Sequence, residues 1–344
     1  MIWLTWRQFR VQAMVVAVVL VAFAVALGLT GPNLAHLYTT SGLDACQAPR
    51  DCSGVTTTFL DQMKANAAYP LLYVVTAVSV LLLPALIGAF WGVPLITREV
   101  EAHTLRVAWY QGVTPTRWTA MKLGLLGLVS VVSSGLLSLV VTWWANPIEK
   151  AGGFPVNQGQ FSRFSPQIFD ARGVAPLAYA LFAFVLGVTV GVIVKRTVAA
   201  MAITLVIFAS VQVIVPTWVR PNLFAPAHLT GPVLTVPLLD HMVVQSSGQL
   251  KVPVNIPNAW IVSNRTVTAS GQVFTLPVVG ACQNGTHDQC VAWLAEQNLR
   301  QQVTYQPASR YWQFQWYETG IFAALSLLLA ALCVLLVKRG RLSA

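Results

Sequence analysis

Acidic, histidine and cysteine side chains, the types that most often do chemistry, are few and scattered in this 344-residue sequence. Asp240-His241 is an adjacent pair in a polar segment, where we expect ordinary surface residues. Glu318 is the one acid at the edge of a long apolar run, and acids inside a membrane are candidates for function. Glu318 is therefore the candidate polar site within the membrane. A wet position among interfacial aromatic residues is the alternative.

The sequence lacks the common motifs for binding nucleotides or catalytic metals. It has no G-x-x-x-x-G-K-[ST] phosphate loop, no H-E-x-x-H and no C-x-x-C. The chain should therefore not bind ATP in the manner of P-loop proteins. We predict no catalytic residue, no metal site and no cofactor in this chain.

The connector, residues 97–122, is a charged stretch between two apolar runs. Residues 69–96 and 123–145 contain no charged residue, and each is longer than the ~20 residues that a membrane-spanning helix needs. The charged residues of the connector are Arg98, Arg106, Arg117, Lys122, Glu99 and Glu101. Basic connections stay in the cytoplasm, and a threonine before two acids favours the start of a helix. We predict a short helix across the cytoplasmic mouth of the membrane domain; a charged turn that only separates two spans is the alternative.

The pattern Glu99-x-Glu101-Ala-His103-Thr104, followed by Thr116-Arg117 and then Lys122 after four more residues, resembles the first cytoplasmic loop of type-2 ABC transporter permeases. His103 stands where that family often has glycine. The stretch from Tyr305 to Glu318 also resembles the start of the last span in actinobacterial members.

The resemblance implies that the connector docks into a separate ATPase subunit, which binds ATP and Mg²⁺. The residues that would transmit its motion are Arg98, Glu99, Glu101, His103, Thr104 and Arg106. It also implies a second permease copy, so that two permeases and two ATPases assemble. Because these positions lie outside the hydrocarbon, we expect them to contribute nothing to packing between spans.

The composition is that of an integral membrane protein. The chain is 56% hydrophobic and 9% charged, whereas soluble domains carry roughly 25% charged residues. A net charge of +10 would suggest a nucleic-acid partner in a soluble protein. Here the basic residues concentrate in the predicted inward segments, so we predict the lipid bilayer as a partner and no nucleic acid.

Six membrane-spanning helices are predicted, at residues 11–29, 69–96, 123–145, 174–194, 197–218 and 311–337. Residues 1–10 fit a short interfacial helix before the first span; a cleaved signal peptide is the alternative. Basic residues dominate every inward segment, which places both termini in the cytoplasm. We therefore expect a multi-pass membrane protein, and the resemblance to actinobacterial permeases implies a bacterial plasma membrane.

Between spans five and six, residues 219–315 are expected to form a small extracellular α/β domain. Residues 251–278 suggest short strands and residues 290–302 a helix. This divides the chain into residues 1–218, 219–315 and 316–344, the last holding span six and a cytoplasmic tail. Residues 31–68 and 146–173, the latter with Glu149, are predicted to be outward loops.

Two cysteine pairs lie in the predicted outward segments. Cys46 and Cys52 are close in one loop, and Cys282 and Cys290 are close in another. Disulfides persist outside the cytoplasm, so we predict one in each pair; four free thiols are the alternative.

These features together favour an all-α polytopic membrane protein with an α/β insertion, acting as the membrane subunit of an ATP-driven ABC exporter. The apolar, aromatic spans favour an amphiphilic substrate such as a drug, lipid or peptide. A membrane-anchored sensor that acts through its extracellular domain is the alternative. An ion-coupled transporter is disfavoured, because such proteins usually carry charged residues at the membrane midplane.

Overall fold

The structure is a computed structural model that describes residues 2–46, 52–102, 114–151, 163–240, 242–244, 248–252, 254, 256, 258–277, 282 and 286–339. Six helices in these residues are long and apolar enough to cross a membrane: Phe9–Thr40, Ala68–Glu101, Thr116–Ala151, Ala175–Val194, Thr197–Asn222 and Ala308–Lys338. The predictions of six spans and of a small inserted sheet are confirmed.

The helices in chain order are α1 (Ile2–Thr40), α2 (Ser53–Ala65), α3 (Ala68–Ile87), α4 (Pro94–Glu101), α5 (Pro115–Ala151), α6 (Pro166–Phe169), α7 (Ala175–Val194), α8 (Thr197–Ile214), α9 (Arg220–Asn222), α10 (Val236–Leu239), α11 (His287–Glu296) and α12 (Tyr311–Lys338). The strands are β1 (Ala227–Val233), β2 (Val243–Val244), β3 (Leu250–Lys251), β4 (Trp260–Val267) and β5 (Arg300–Gln306). The predicted boundary at residue 316 therefore lies inside α12.

Several helices are longer than their apolar runs. α1 is continuous from Ile2, so the structure has no separate interfacial helix before the first span. α2 forms within the predicted loop 31–68, and α5 continues to Ala151. These extensions are stabilised by packing: Phe59 of α2 and Ile148 of α5 are fully buried in one apolar cluster.

α7 is the central helix of the bundle and is almost entirely buried. Its N-terminal half faces the start of α12, and its C-terminal end faces α4 and the start of α8. We call the end of the bundle with α4 and the start of α8 the connector end. The opposite end, where the chain enters and leaves the sheet, is the sheet end.

The second span bends where α3 gives way to α4. Pro94 lacks an amide proton and its ring would clash with the carbonyl four residues earlier, which favours a wider turn. The π-helical turn Gly88–Gly92 provides it, with Val93 donating to the carbonyl of Gly88 at 3.0 Å. This turn lies directly against α7: a Cβ on Gly187 would lie 2.2 Å from the Gly88 carbonyl oxygen. The glycines therefore allow two spans of the same chain to pack closely.

The three-stranded sheet between spans five and six has the order β1-β5-β4, and both pairings are antiparallel. The strands predicted within 251–278 correspond to part of β3 and to β4, but the predicted helix over 290–302 is wrong at its end. Asn298 adopts a positive φ of 52° and ends the helical segment, and β5 begins two residues later. Trp260 of β4 stacks on Phe164 at 6.1 Å between ring centroids, so the sheet packs against the sheet end.

Both predicted disulfides are present. Cys46 pairs with Cys52 between α1 and α2, and Cys282 pairs with Cys290 of α11. Cys333 is a free, buried thiol in α12.

Candidate functional site

Glu99 of the connector contacts the third span. Its Oε1 accepts a hydrogen bond from Nζ of Lys122 at 2.7 Å, and the two side chains are 17% and 7% exposed. The Lys122 ammonium also lies 3.9 Å from the ring centroid of Trp118, a cation–π geometry. The nearly buried ion pair joins α4 to α5. Glu99 and Lys122 are the first acid and the lysine of the family pattern. They are 23 residues apart and form an ion pair within one subunit.

Glu101 of the connector contacts the fifth span. Thr197, the first residue of α8, donates its backbone N–H and its hydroxyl to the two carboxylate oxygens, each at 2.8 Å. The Thr97 hydroxyl lies 2.7 Å from the same threonine hydroxyl. The N–H groups of a first helical turn have no partners within the helix, and a negative charge there is favourable. Glu101 therefore caps α8 from the second span.

The expectation that these acids contribute nothing to packing between spans is wrong, because each one contacts another span. Arg98 differs: its side chain is exposed and forms no ion pair with another described residue. It lines an open cavity of about 150 Å³ together with Phe9 and Gln12 of α1. His103, Thr104 and Arg106 lie outside the described residues.

Glu318 lies in a buried charge cluster at the sheet end. It is 1% exposed, and Arg220 donates Nε to its Oε2 at 3.0 Å and Nη2 to its Oε1 at 2.9 Å. Arg220 also pairs with Asp170, and the Tyr179 hydroxyl bridges the two acids, contacting Glu318 and lying 3.1 Å from Asp170 Oδ1. We call Asp170, Tyr179, Arg220 and Glu318 the buried cluster. The wet interfacial position for Glu318 is therefore wrong.

Gln315, one turn before Glu318, holds the start of α7. Its Oε1 accepts the backbone N–H groups of Val174 and Ala175 at 3.1 and 2.9 Å. Its Nε2 donates to the carbonyl of Phe169 at 3.1 Å. Because helix starts carry unpaired N–H groups, a fully buried start needs such an acceptor. The amide thus connects α12 to the segment before α7.

A second buried ion pair lies in the segment before α7, two residues after Asp170. Arg172 donates Nε to Glu149 of α5 at 2.7 Å, and Arg163 lies 3.6 Å from the same carboxylate. Glu149 is therefore a buried helical residue and not part of an outward loop. Asp170 connects the segment before α7 to α9 through Arg220, and Arg172 connects it to α5 through Glu149.

Sequence reasoning found Glu318 but missed its partners. Asp170 lies just before the fourth span, and Arg220 lies two residues after the predicted end of the fifth. Two opposite charges beside span ends are the available signal.

A family model described as "ABC-2 membrane transporter related" matches residues 17–220, more than half of the chain. The chain belongs to this family. The resemblance to type-2 ABC permeases is thereby confirmed, and this ABC-2-related permease is a multi-pass membrane transport component. No curated protein and no solved structure is similar enough to match it. The matched region contains the connector, α7 and Arg220, and it ends before the sheet and Glu318.

Proposed function

We propose that this permease is the membrane subunit of an ATP-driven exporter in a bacterial plasma membrane, with ATP and Mg²⁺ bound by a separate ABC ATPase. The connector end faces the cytoplasm and the sheet end faces outward. This orientation is supported by the basic residues at the connector end, since such residues stay on the cytoplasmic side. They include Arg98, Lys122, Lys195, Arg196, Lys338 and Arg339.

The observation that carries the proposal is the pair of contacts made by the connector acids. Glu99 binds the third span through Lys122, and Glu101 binds the start of the fifth span through Thr197. A force applied by an ATPase to this connector would therefore act on three spans together. In this arrangement Glu99 and Glu101 transmit motion within the subunit, whereas exposed Arg98 contacts the ATPase.

The proposed substrate class is supported by the surface of the bundle. The faces of α1 and α8 expose many apolar side chains, including Val18 and Val206. Lipid and a second permease copy would cover these faces, and an amphiphilic drug, lipid or peptide would move along them. The charged side chains Glu149, Asp170, Arg172, Arg220 and Glu318 are buried at the sheet end and do not line these apolar faces, which favours such a substrate over a highly charged one.

The proposal is tested by reversing the charge of Arg98. Arg98→Glu should leave the fold intact, because the side chain is exposed. In the ATPase interface, the new carboxylate would repel an acidic partner of Arg98 or lack a partner altogether. Losing one partner of a desolvated charge pair costs about 2–5 kcal/mol, or roughly 30-fold or more in association. Pull-down of the ATPase and ATP-dependent export should both fall by at least that factor.

Lys64→Glu is the matched control, because Lys64 is an exposed lysine on α2 at the sheet end. It should assemble and export normally. Normal assembly and export by Arg98→Glu would contradict the assignment of Arg98 to the interface. Purification of the wild-type protein without any ATPase, from cells that express its genomic neighbours, would instead favour a sensor that acts through the sheet region.

A further inference from the structure

The buried cluster contains more negative than positive charge. Asp170 and Glu318 both pair with the single guanidinium of Arg220, and these three side chains are 6%, 1% and 1% exposed. Tyr179 adds a neutral hydroxyl. With both carboxylates ionised the cluster carries a net charge of −1. Like charges this close cannot both ionise in a water-poor site without a large cost.

The neighbouring charges do not supply the missing cation. On the segment that carries Asp170, Arg172 is engaged by Glu149 of α5. Arg163 lies against the same glutamate and is about one-third exposed. Among the described residues, the titratable group of α7 that contacts the cluster is Tyr179, and that of α12 is Glu318. The second carboxylate of the cluster therefore has no counter-charge of its own.

We propose that Asp170 holds an exchangeable proton beside Glu318, and that release of this proton loosens the sheet end of the bundle. With the proton bound, the cluster is neutral and Arg220 joins both acids. When the proton leaves for the solvent at the sheet end, two carboxylates compete for one guanidinium and repel each other. Asp170 then separates from Glu318, and the segment before α7 separates from α12.

The exchange is expected within an accessible pH range. Burial raises the pKa of Asp170 to about 6, although the charge of Arg220 lowers it. A carboxyl whose pKa is higher in the folded state contributes stability at acid pH. That contribution declines from about pH 4, near the pKa in the unfolded chain, to about pH 6 and stays absent above it. An ordinary ion pair with a lowered carboxyl pKa gives the opposite sign. The inference does not depend on the proposed transport function.

The test is the melting temperature of the full-length protein in detergent between about pH 4.5 and pH 7. The wild type should lose several degrees as the pH rises. Asp170→Asn should lose much less across this range, because its neutral amide keeps the cluster uncharged, and at pH 7 it should be at least as stable as the wild type. Asp61→Asn, which changes an exposed acid of α2 at the same end, should retain the wild-type slope.

A spectroscopic measurement covers the case in which a variant fails to fold. Infrared difference spectra of the wild type should show a protonated-carboxyl C=O band that disappears as the pH rises through about 6. The band should be absent from both Asp170→Asn and Glu318→Gln. A wild-type melting temperature that falls towards acid pH relative to Asp170→Asn, or spectra without this band, would overturn the proposal.

Discussion

Glu99 and Lys122 join the second and third spans through one nearly buried ion pair. The pair explains why an acid and a lysine of the motif occur 23 positions apart, on two helices that meet at the connector end. Breaking a buried pair on one side costs about 3–5 kcal/mol, because the other charge stays buried without a partner. Glu99 is 17% exposed, so the cost should lie below that range.

Glu99→Lys should therefore lower the free energy of unfolding by about 2–3 kcal/mol, since two ammonium groups would face each other. The double variant Glu99→Lys/Lys122→Glu restores opposite charges and should recover most of this loss. Denaturation of the three proteins in the same detergent measures both effects. If the double variant is as unstable as the single one, the two charges do not interact, and the Glu99–Lys122 pair does not stabilise the contact between the second and third spans.

At the scale of elements, α7 and the π-helical turn before α4 approach so closely that side chains are excluded. Gly88 and Gly187 lie backbone to backbone, and Gly92 lies against the carbonyl of Phe184. The four-residue spacing of these glycines thus serves packing within one chain. Rigid contact between the second and fourth spans also places α4, and with it the connector acids, against the starts of α5 and α8.

Gly187→Ala should lower the free energy of unfolding by about 1–3 kcal/mol. The added methyl group would overlap the Gly88 carbonyl and force the helices apart. Gly124→Ala on α5 is the control: a Cβ there meets no atom within 4 Å, and alanine favours helix over glycine. Thermal unfolding and yield in membranes compare the two. Equal stability of both variants would mean that the helices adjust freely.

At the scale of the whole molecule, the bundle and the sheet region differ in the size of their apolar cores. The bundle has long apolar helices around α7, whereas the sheet region has a small core that includes Leu250, Leu294 and Cys290. Small cores gain much of their stability from cross-links. The disulfide between Cys282 and Cys290 joins α11, near its start, to a residue five positions before it.

Replacing both Cys282 and Cys290 with serine should therefore cost the sheet region about 2–3 kcal/mol, the loop-entropy value for a short closed loop. Hydrogen exchange in α11 and β5 should accelerate, while exchange in α7 should not change. The matched control replaces Cys46 and Cys52, which form the other disulfide. It should leave exchange in the sheet region unaltered; acceleration there by this control would show that the two regions unfold together.

The sequence alone determined the number of spans and both disulfides. Apolar length, basic bias and cysteine spacing are each read within some twenty residues, because the hydrocarbon thickness and the polarity of loops act locally on the chain. The family pattern around Glu99 and Lys122 was equally visible, although its physical basis was not.

Only the tertiary structure decided what the charged residues contact. Glu318 meets Arg220 across 98 positions and Tyr179 across 139, and Glu101 meets Thr197 across 96. A polar residue near the end of a span has the same local sequence whether it faces water or a buried partner. The packing of other helices around α7 removes water from these positions, and that packing depends on contacts between distant segments that local pattern does not encode.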